Sequence, residues 1–242
     1  MRDVSRAICM GINNKKIIIL LGPPGSGKGT QATLLAEKLD LYYFETSNII
    51  EMAVHSHRAE EHVEVDGQKY TFGHEKELWE KGILCSPPFV VFLVEKKINE
   101  LFQSGKGIVF AGSPRTMHEG EKVIPQIEAL YGQKNIKIIL LELSPEQTIF
   151  RNSNRKICEL MRHPVLYTEE TRNLKSCPLD GSKLLKRTGL DDPETIKVRI
   201  KEYEERTLPL VGFFEKAGLG VKKVNGEQSV EGVHKDILEA LE

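Results

Sequence analysis

Residues Gly22 to Lys28 fit the spacing G-x-x-x-x-G-K, and Gly29 and Thr30 follow the lysine. Glycines at this density let the backbone fold around an anion, so that several N–H groups point at its oxygens. A lysine at the end of such a loop places one positive charge against outer phosphate oxygens. The generic pattern has serine or threonine where Gly29 stands, so this loop is a variant. These residues predict the binding of a phosphate chain, and the alternative is a glycine-rich turn without a ligand.

The segments on either side of the loop are of the kinds that would hold it in place. Ile17 to Leu21 is an unbroken apolar run rich in β-branched residues, which predicts a buried strand. After the loop, apolar residues at positions 32, 35, 36 and 39 recur at helical spacing. A strand, a glycine loop and a helix in this order bring the loop N–H groups and the positive end of the helix dipole to one anion.

Arginines in two later stretches could meet the same anion. Arg115 follows the apolar run Ile108 to Ala111. Loops at the carboxyl ends of parallel strands bind ligands, so Arg115 is a candidate for bidentate phosphate binding, with a surface arginine after a turn as the alternative. Arg151 and Arg155 share one face of a helix that is predicted to begin at Ser144-Pro145-Glu146.

Apolar runs that alternate with predicted helices indicate a parallel sheet covered on both faces. The five runs span residues 17–21, 41–44, 108–111, 136–143 and 220–224. Helices are further predicted to begin with Thr46 as the N-cap and at Asp192, the latter continuing to about Ala217. Residues 156–190 lack sustained periodicity and predict a separate insertion.

A second interruption, residues 55–76, is polar and has a turn signal at Asp66-Gly67, which predicts a small β-hairpin. It also contains His55, His57 and His62. These histidines are open to two interpretations, a metal site or a solvated polar surface.

Composition excludes several classes of protein. The 242 residues include 34 basic and 35 acidic side chains, so no nucleic-acid partner is indicated. No apolar run reaches transmembrane length, and residues 1–14 predict a flexible leader without the apolar core of a secretory signal. Cysteines at positions 9, 85, 158 and 177 do not form a disulfide pattern, which favours a reducing cytoplasm. We expect a monomer.

From about residue 15 to its end the chain resembles the adenylate kinase family of nucleoside monophosphate kinases. The motifs that carry the resemblance are GPPGSGKGTQ (22–31), GSPRT (112–116), RNSNRKIC (151–158), KRTGLDDPETIKVR (186–199) and VNGEQSVEGV (224–233). The resemblance implies an α/β fold with a P-loop NTPase-type parallel five-stranded sheet, order 2-3-1-4-5, flanked by helices. The implied divisions are a core (15–44, 86–151 and 191–242), a flap that binds the nucleoside monophosphate (45–85) and a lid (152–190).

The resemblance also implies the reaction ATP + AMP to 2 ADP, with Mg²⁺, by in-line transfer in a site closed by the lid. Phosphoryl transfer is mostly positioning and neutralisation of developing charge. The implied ATP-binding residues are Gly25, Ser26, Gly27, Lys28, Gly29, Thr30, Arg151, Arg155 and Gln228. The implied acceptor-binding residues are Thr46, Cys85, Gly112, Arg115, Glu119, Arg187 and Arg199. The implied catalytic residues are Lys28, Arg115, Arg155, Arg187 and Arg199.

The acceptor half departs from the family pattern. Glu51 stands where the family has an arginine for the AMP phosphate, Ala111 replaces an aspartate that helps to order the waters of Mg²⁺, and Glu119 replaces a glutamine that contacts adenine. Either Arg58 or Lys69 replaces the lost arginine, or Glu51 turns away. AMP is the leading acceptor. Another monophosphate, a weakly active or non-catalytic ATP-binding relative, and a kinase of an unrelated small metabolite stay open.

The lid resembles those relatives whose lid holds zinc. Cys158, Cys177 and Asp180 fall at ligand positions, whereas Met161 occupies the remaining one and is a poor zinc ligand. His163 is the nearest substitute and would complete a tetrahedron of two thiolates, one imidazole and one carboxylate. The alternative is a lid that packs without metal.

Overall fold

The structure, a computed structural model, describes residues 16–81, 85–186 and 191–242. In chain order the strands are β1 (Ile17–Leu21), β2 (Leu41–Phe44), β3 (His62–Val65), β4 (Gln68–Thr71), β5 (Gly107–Ala111), β6 (Ile136–Glu142), β7 (Lys156–Cys158), β8 (Pro164–Val165), β9 (Leu184–Leu185) and β10 (Val221–Asn225). The helices are α1 (Lys28–Leu39), α2 (Thr46–Ser56), α3 (Phe72–Glu80), α4 (Pro87–Gln103), α5 (Met117–Tyr131), α6 (Pro145–Asn154), α7 (Pro193–Glu202), α8 (Pro209–Lys216) and α9 (Val230–Leu241).

Five strands form one parallel sheet in the order β10-β6-β1-β5-β2. If only these five are counted in chain order and read from the β2 edge, the order is 2-3-1-4-5, so the predicted fold is confirmed. β1 lies at the centre, with Ile17 beside Ile108 on one neighbour and Ile136 on the other. Because both faces of the sheet are covered, each residue of β1 is apolar and buried.

The alternation of side chains along β1 divides the core into two layers. Ile17, Ile19 and Leu21 pack with residues of α2, α4, α5 and α8. Ile18 and Leu20 face the opposite side and pack with residues of α1 and α9. The unbroken apolar run in the sequence therefore reflects two cores that share one strand.

Two of the predicted helix starts are confirmed. The Ser144 hydroxyl accepts a hydrogen bond from the backbone N–H of Gln147, and the Asp192 carboxylate accepts one from the N–H of Thr195, at 3.4 and 2.9 Å. The prediction that Thr46 caps α2 is wrong. Glu45 is the N-cap residue, because it keeps the extended backbone of the preceding strand, and Thr46 is the first residue of the helix.

The helix predicted from Asp192 to about Ala217 is divided. After α7, residues Tyr203–Thr207 form a π-helical turn, in which the Leu208 N–H bonds to the Tyr203 carbonyl at 2.8 Å. The cause is Pro209, which has no N–H and whose ring would clash with the carbonyl four residues earlier in a regular helix. The wider π-helical turn precedes this proline, and the helix then continues as α8.

Two smaller sheets lie in the predicted insertions. The predicted hairpin is confirmed as β3 and β4, joined by Asp66 and Gly67, which have φ values of 51° and 77°. Positive φ at both positions gives the turn that matches the twist of a hairpin. Strands β7, β8 and β9 form an antiparallel sheet within residues 152–190. The division into core, flap and lid stays a prediction.

Among the helices of the described ranges, none has the length and apolar character that a bilayer crossing requires.

Candidate active site

The loop between β1 and α1 is shaped for close approach of a ligand to its backbone. Gly25 has a φ of 83°, and a Cβ at this position would lie 2.5 Å from Nδ2 of Asn152, so no larger residue fits. The Lys28 ammonium lies over the loop and donates to the carbonyl oxygens of Gly22 and Pro23, at 2.6 and 2.9 Å. A bound phosphate chain would offer this ammonium stronger acceptors than these carbonyls.

The remaining loop residues named from the sequence lie around this lysine. Gly27, with φ 91°, precedes α1 as its N-cap. The hydroxyl of buried Ser26 lies 3.4 Å from the Lys28 ammonium. Gly29 and Thr30 form the first turn of α1. The N-terminus of α1 and the loop N–H groups therefore lie around the Lys28 ammonium, where they could bind one anion.

Arginines from distant parts of the chain act on the same ammonium. Burial, and after it the charges of Arg115, Arg199 and Arg155 in that order, together lower the pKa of Lys28 to about 7. These side chains follow β5, lie on α7 and follow α6. Four of the five predicted catalytic cations thus converge. The fifth, Arg187, lies outside the described residues.

Asp191 lies between two of these arginines and pairs with both. Its carboxylate accepts two hydrogen bonds from Arg155, with Nη2 to Oδ1 at 2.6 Å and Nε to Oδ2 at 3.3 Å. Nη1 of Arg199 lies 3.7 Å from the same Oδ1. The Asp191 side chain is only 4% exposed, so the pairing is shielded from water. We did not predict this residue from the sequence. An acid directly before a helix cap is common, so its residue type alone does not indicate this role.

Arg151, on α6, contacts the loop after β10. Its Nη2 donates to the Gly226 carbonyl at 2.9 Å. In the same loop, the side chain of Gln228 donates to the Asn225 carbonyl at 3.0 Å and to the carboxylate of Asp236 at 2.7 Å. Two residues that were named for ATP binding are therefore brought to one loop at the carboxyl edge of the sheet.

The loop after β5 presents Arg115 at the same edge. Its Nε donates to the Gly112 carbonyl at 2.5 Å, and its backbone N–H donates to Oε2 of Glu119 at 2.7 Å. The Thr207 hydroxyl donates to the Arg115 carbonyl at 2.9 Å. Burial raises the pKa of Glu119 above its ordinary value. The Glu119 carboxylate is thus used to hold the backbone that carries Arg115.

The other acceptor-side residues are less exposed to a ligand. Cys85 is buried, its thiol donates to the Glu75 carbonyl at 3.5 Å, and burial raises its pKa to about 11. The Thr46 hydroxyl is buried and has no hydrogen-bond partner in the described chain. The Cys85 thiol and the Thr46 hydroxyl are thus both enclosed by the protein.

Neither candidate to replace the lost arginine pairs with Glu51. Glu51 is exposed on α2 and makes no ion pair within the described ranges. The Arg58 guanidinium instead holds Glu61, at 2.8 Å. Lys69 lies opposite Glu64 in the hairpin register. The exposure of Glu51 agrees with the alternative in which it turns away, and the replacement of the lost arginine by Arg58 or Lys69 stays a prediction.

The predicted zinc ligands of the lid lie together. The ligand atoms of Cys158, His163 and Cys177 are all within 4.8 Å of one another. Oδ2 of Asp180 is 3.0 Å from the sulfur of Cys158, and Nε2 of His163 is 3.4 Å from that of Cys177. Met161 contributes its backbone N–H, which donates to the Cys158 sulfur at 3.2 Å. The two sulfurs and the imidazole are ligands that suit zinc. Asp180 lies beside Cys158 but outside this group of three, so its carboxylate is the candidate for the fourth position.

The comparisons with known proteins agree with this geometry. A family model described as "Adenylate kinase" matches residues 20–219. The chain is 31% identical over 229 residues to the adenylate kinase of Caldicellulosiruptor saccharolyticus, covering 93% of this chain and 98% of the relative. It is 32% identical over 227 residues to that of Pelobacter propionicus (93% and 96%), and 29% over 228 residues to that of Methanothrix thermoacetophila (93% and 97%). The chain belongs to the adenylate kinase family of nucleoside monophosphate kinases.

Proposed function

We propose that the protein transfers the terminal phosphoryl group of ATP to AMP and releases two ADP. The observation that carries the proposal is the convergence of Lys28, Arg115, Arg155 and Arg199 on one place beside the phosphate loop. Four cations exceed what binding one triphosphate requires, and they suit two phosphate chains that meet end to end.

The residues divide the work by position. Lys28 and the loop N–H groups hold the ATP phosphates, and Arg115 holds the acceptor phosphate. Arg155 and Arg199 exchange part of their bonding to Asp191 for bonds to the phosphoryl group in flight, whose equatorial oxygens carry the developing charge. The acceptor oxygen is already anionic, so the reaction needs no general base. Closure of the lid excludes water and suppresses hydrolysis of ATP.

Magnesium, when bound, would supply positive charge that offsets the charge of the ATP phosphates. Thr30 is the residue of the loop that would hold it, because its hydroxyl makes no hydrogen bond within the described chain and lies in the first turn of α1. Ala111 offers no carboxylate to the surrounding waters.

A coupled assay with Mg-ATP and each of AMP, GMP, CMP and UMP tests the proposal. ADP formation with AMP alone supports it. Turnover with a different monophosphate would instead assign another acceptor, which the substitutions at Glu51 and Glu119 keep as the second candidate. Tight ATP binding without turnover would assign a nucleotide sensor.

We also propose that the lid binds one structural zinc ion through Cys158, His163, Cys177 and Asp180. Elemental analysis of the purified protein should find about one zinc per chain, in line with a four-ligand structural site. Cys177→Ser should lose the metal, whereas Cys85→Ser, which removes a buried thiol elsewhere, should keep it. Well under one zinc per wild-type chain would establish a lid that packs without metal.

We propose that the active form is a cytoplasmic monomer. Cys85, Cys158 and Cys177 are free thiols, as a reducing compartment would keep them. Light scattering of the purified protein that gives twice the mass of one chain would contradict the monomer.

A further inference from the structure

Tyr43 lies at the junction of the two phosphate sites. It is the third residue of β2, and its side chain packs on the layer that contains α1. Its hydroxyl is 3.4 Å from the position that a Cβ on Gly29 would occupy, so it touches the first turn of the helix that follows the phosphate loop. Gly29 is the residue that replaces the usual serine or threonine, and this leaves the hydroxyl of Tyr43 beside the helix N-terminus.

The hydroxyl of Tyr43 is available for a ligand. It makes no hydrogen bond to any residue of the described ranges, and its oxygen is not among the enclosed polar atoms that lack a partner. Glu45 is the nearest carboxylate in sequence, but its Oε2 already accepts a hydrogen bond from Nδ2 of Asn48 at 3.0 Å. The half-buried phenol therefore keeps a free O–H beside the first turn of α1.

The charged residues that act on Tyr43 include Arg115, the proposed clamp of the acceptor phosphate. Burial and the charge of Glu45 raise the pKa of Tyr43 to about 12, and the charge of Arg115 opposes this shift. The phenol therefore stays neutral and keeps its proton near neutral pH. Arg115, the proposed clamp of the acceptor phosphate, is close enough to act on it.

We propose that the Tyr43 hydroxyl donates a hydrogen bond to the acceptor phosphate that Arg115 holds, on the side of that phosphate nearest the first turn of α1. This inference rests on the proposed function. A neutral donor suits the position, since a hydrogen bond to a phosphate oxygen is charge-assisted and adds no repulsion to the cations already present. Tyr43 is then a substrate-binding residue that the sequence motifs did not indicate.

Tyr43→Phe tests the inference, with Tyr42→Phe as the matched control. Both substitutions remove one phenol oxygen from the same strand. Tyr42 packs on the opposite layer, where its ring lies 5.4 Å from the Lys97 ammonium. The measurements are the KM values for AMP and ATP, the Kd for ATP alone, and the Kd for a bisubstrate analogue with two adenosines joined by five phosphates.

Tyr43→Phe should raise the KM for AMP and the Kd for the analogue by about tenfold to a hundredfold, as loss of a hydrogen bond to a charged group does. It should change the Kd for ATP less than about twofold, since loss of a contact to one ligand leaves the other's binding unchanged. Tyr42→Phe should leave all of these constants near the wild-type values. An unchanged KM for AMP in Tyr43→Phe, or an equal loss for ATP and AMP, would overturn the inference while the wild-type activity still supported the proposed function. A wild-type protein that neither makes ADP nor binds the analogue would overturn both.

Discussion

The two halves of the site differ in what binds the nucleotide. In the proposed assignment, backbone N–H groups hold most of the ligand on the ATP side, and their placement depends on glycines and on the strand and helix around them. On the acceptor side the proposed contacts come from side chains, and three residues of that half, at positions 51, 111 and 119, differ from the family pattern. Binding by backbone N–H groups requires glycines at fixed spacing, and this spacing is visible in the sequence. Side-chain binding lets the residues change while the fold persists.

Lys28→Ala should have the largest effect, because Lys28 is the cation at the centre of the ATP half. We expect kcat to fall by roughly 10²- to 10³-fold, the usual loss when one preorganised donor to a developing charge is removed. Lys38→Ala removes an exposed lysine from the last turn of the same helix and should keep full activity. Near-normal rates in Lys28→Ala would contradict the mechanism.

Arg115→Ala should affect the acceptor half alone. We expect the KM for AMP to rise by about tenfold to a hundredfold while the KM for ATP changes little, because a charged hydrogen-bonding partner is lost on one side only. Arg58→Ala is the matched control, since Arg58 is a candidate replacement that instead pairs with Glu61. If the KM for AMP rises in Arg58→Ala and not in Arg115→Ala, the acceptor clamp has been assigned to the wrong arginine.

Asp191→Asn should weaken the pairing of residue 191 with Arg155 and Arg199. The free energy of unfolding should fall by about 1 to 3 kcal/mol, less than for a fully buried pair because both arginines are partly exposed. Asp192→Asn should stay within about 0.5 kcal/mol of wild type, since asparagine caps helices as well as aspartate. Urea denaturation of the two variants measures the difference, and equal values would mean that Asp191 does not hold Arg155 and Arg199.

Binding of ATP should take up a proton above pH 7. The free protein lowers the pKa of Lys28 from its ordinary value of 10.5 to about 7, and bound phosphate restores the charged form. Uptake should therefore appear between these two values and vanish near pH 5, where the ammonium is already charged. By the same linkage, the free protein gains stability as pH rises above 7, since the unfolded state binds a proton that the folded state lacks.

Calorimetry at pH 8 in buffers of different ionisation enthalpy measures this uptake. It should disappear in Lys28→Ala. The same uptake in that variant would assign the proton to another group.

Glu119→Gln should have the smallest effect. Glutamine can still accept the hydrogen bond from the Arg115 N–H, so the loop should keep its shape and the KM for AMP should change by only a few-fold. If kcat/KM for AMP instead rises by much more than a few-fold, the Glu119 carboxylate weakens binding of the adenine base in the wild-type protein.

The same contrast explains which features were predictable from the sequence. The strand order, the hairpin turn at Asp66-Gly67 and the caps at Ser144 and Asp192 depend on local patterns that few other residues satisfy. The prediction that Thr46 caps α2 was wrong because the cap position depends on the extended backbone of Glu45, which the residue type does not reveal.

Two residues of the candidate site were missed because their roles come from contacts between distant segments. Asp191 meets Arg155 across 36 positions of sequence. Tyr43 reaches Gly29 because β2 packs beneath α1. A pattern search along one chain detects neither contact, since a tyrosine in a strand and an acid before a cap are both common.

A crystal structure with the bisubstrate analogue of two adenosines and five phosphates tests the central claim most directly. We predict that both insertions close and that Lys28, Arg115, Arg155 and Arg199 all lie within hydrogen-bond distance of the phosphate chain. A closed complex in which these guanidinium groups point outward, away from the phosphates, would contradict the account.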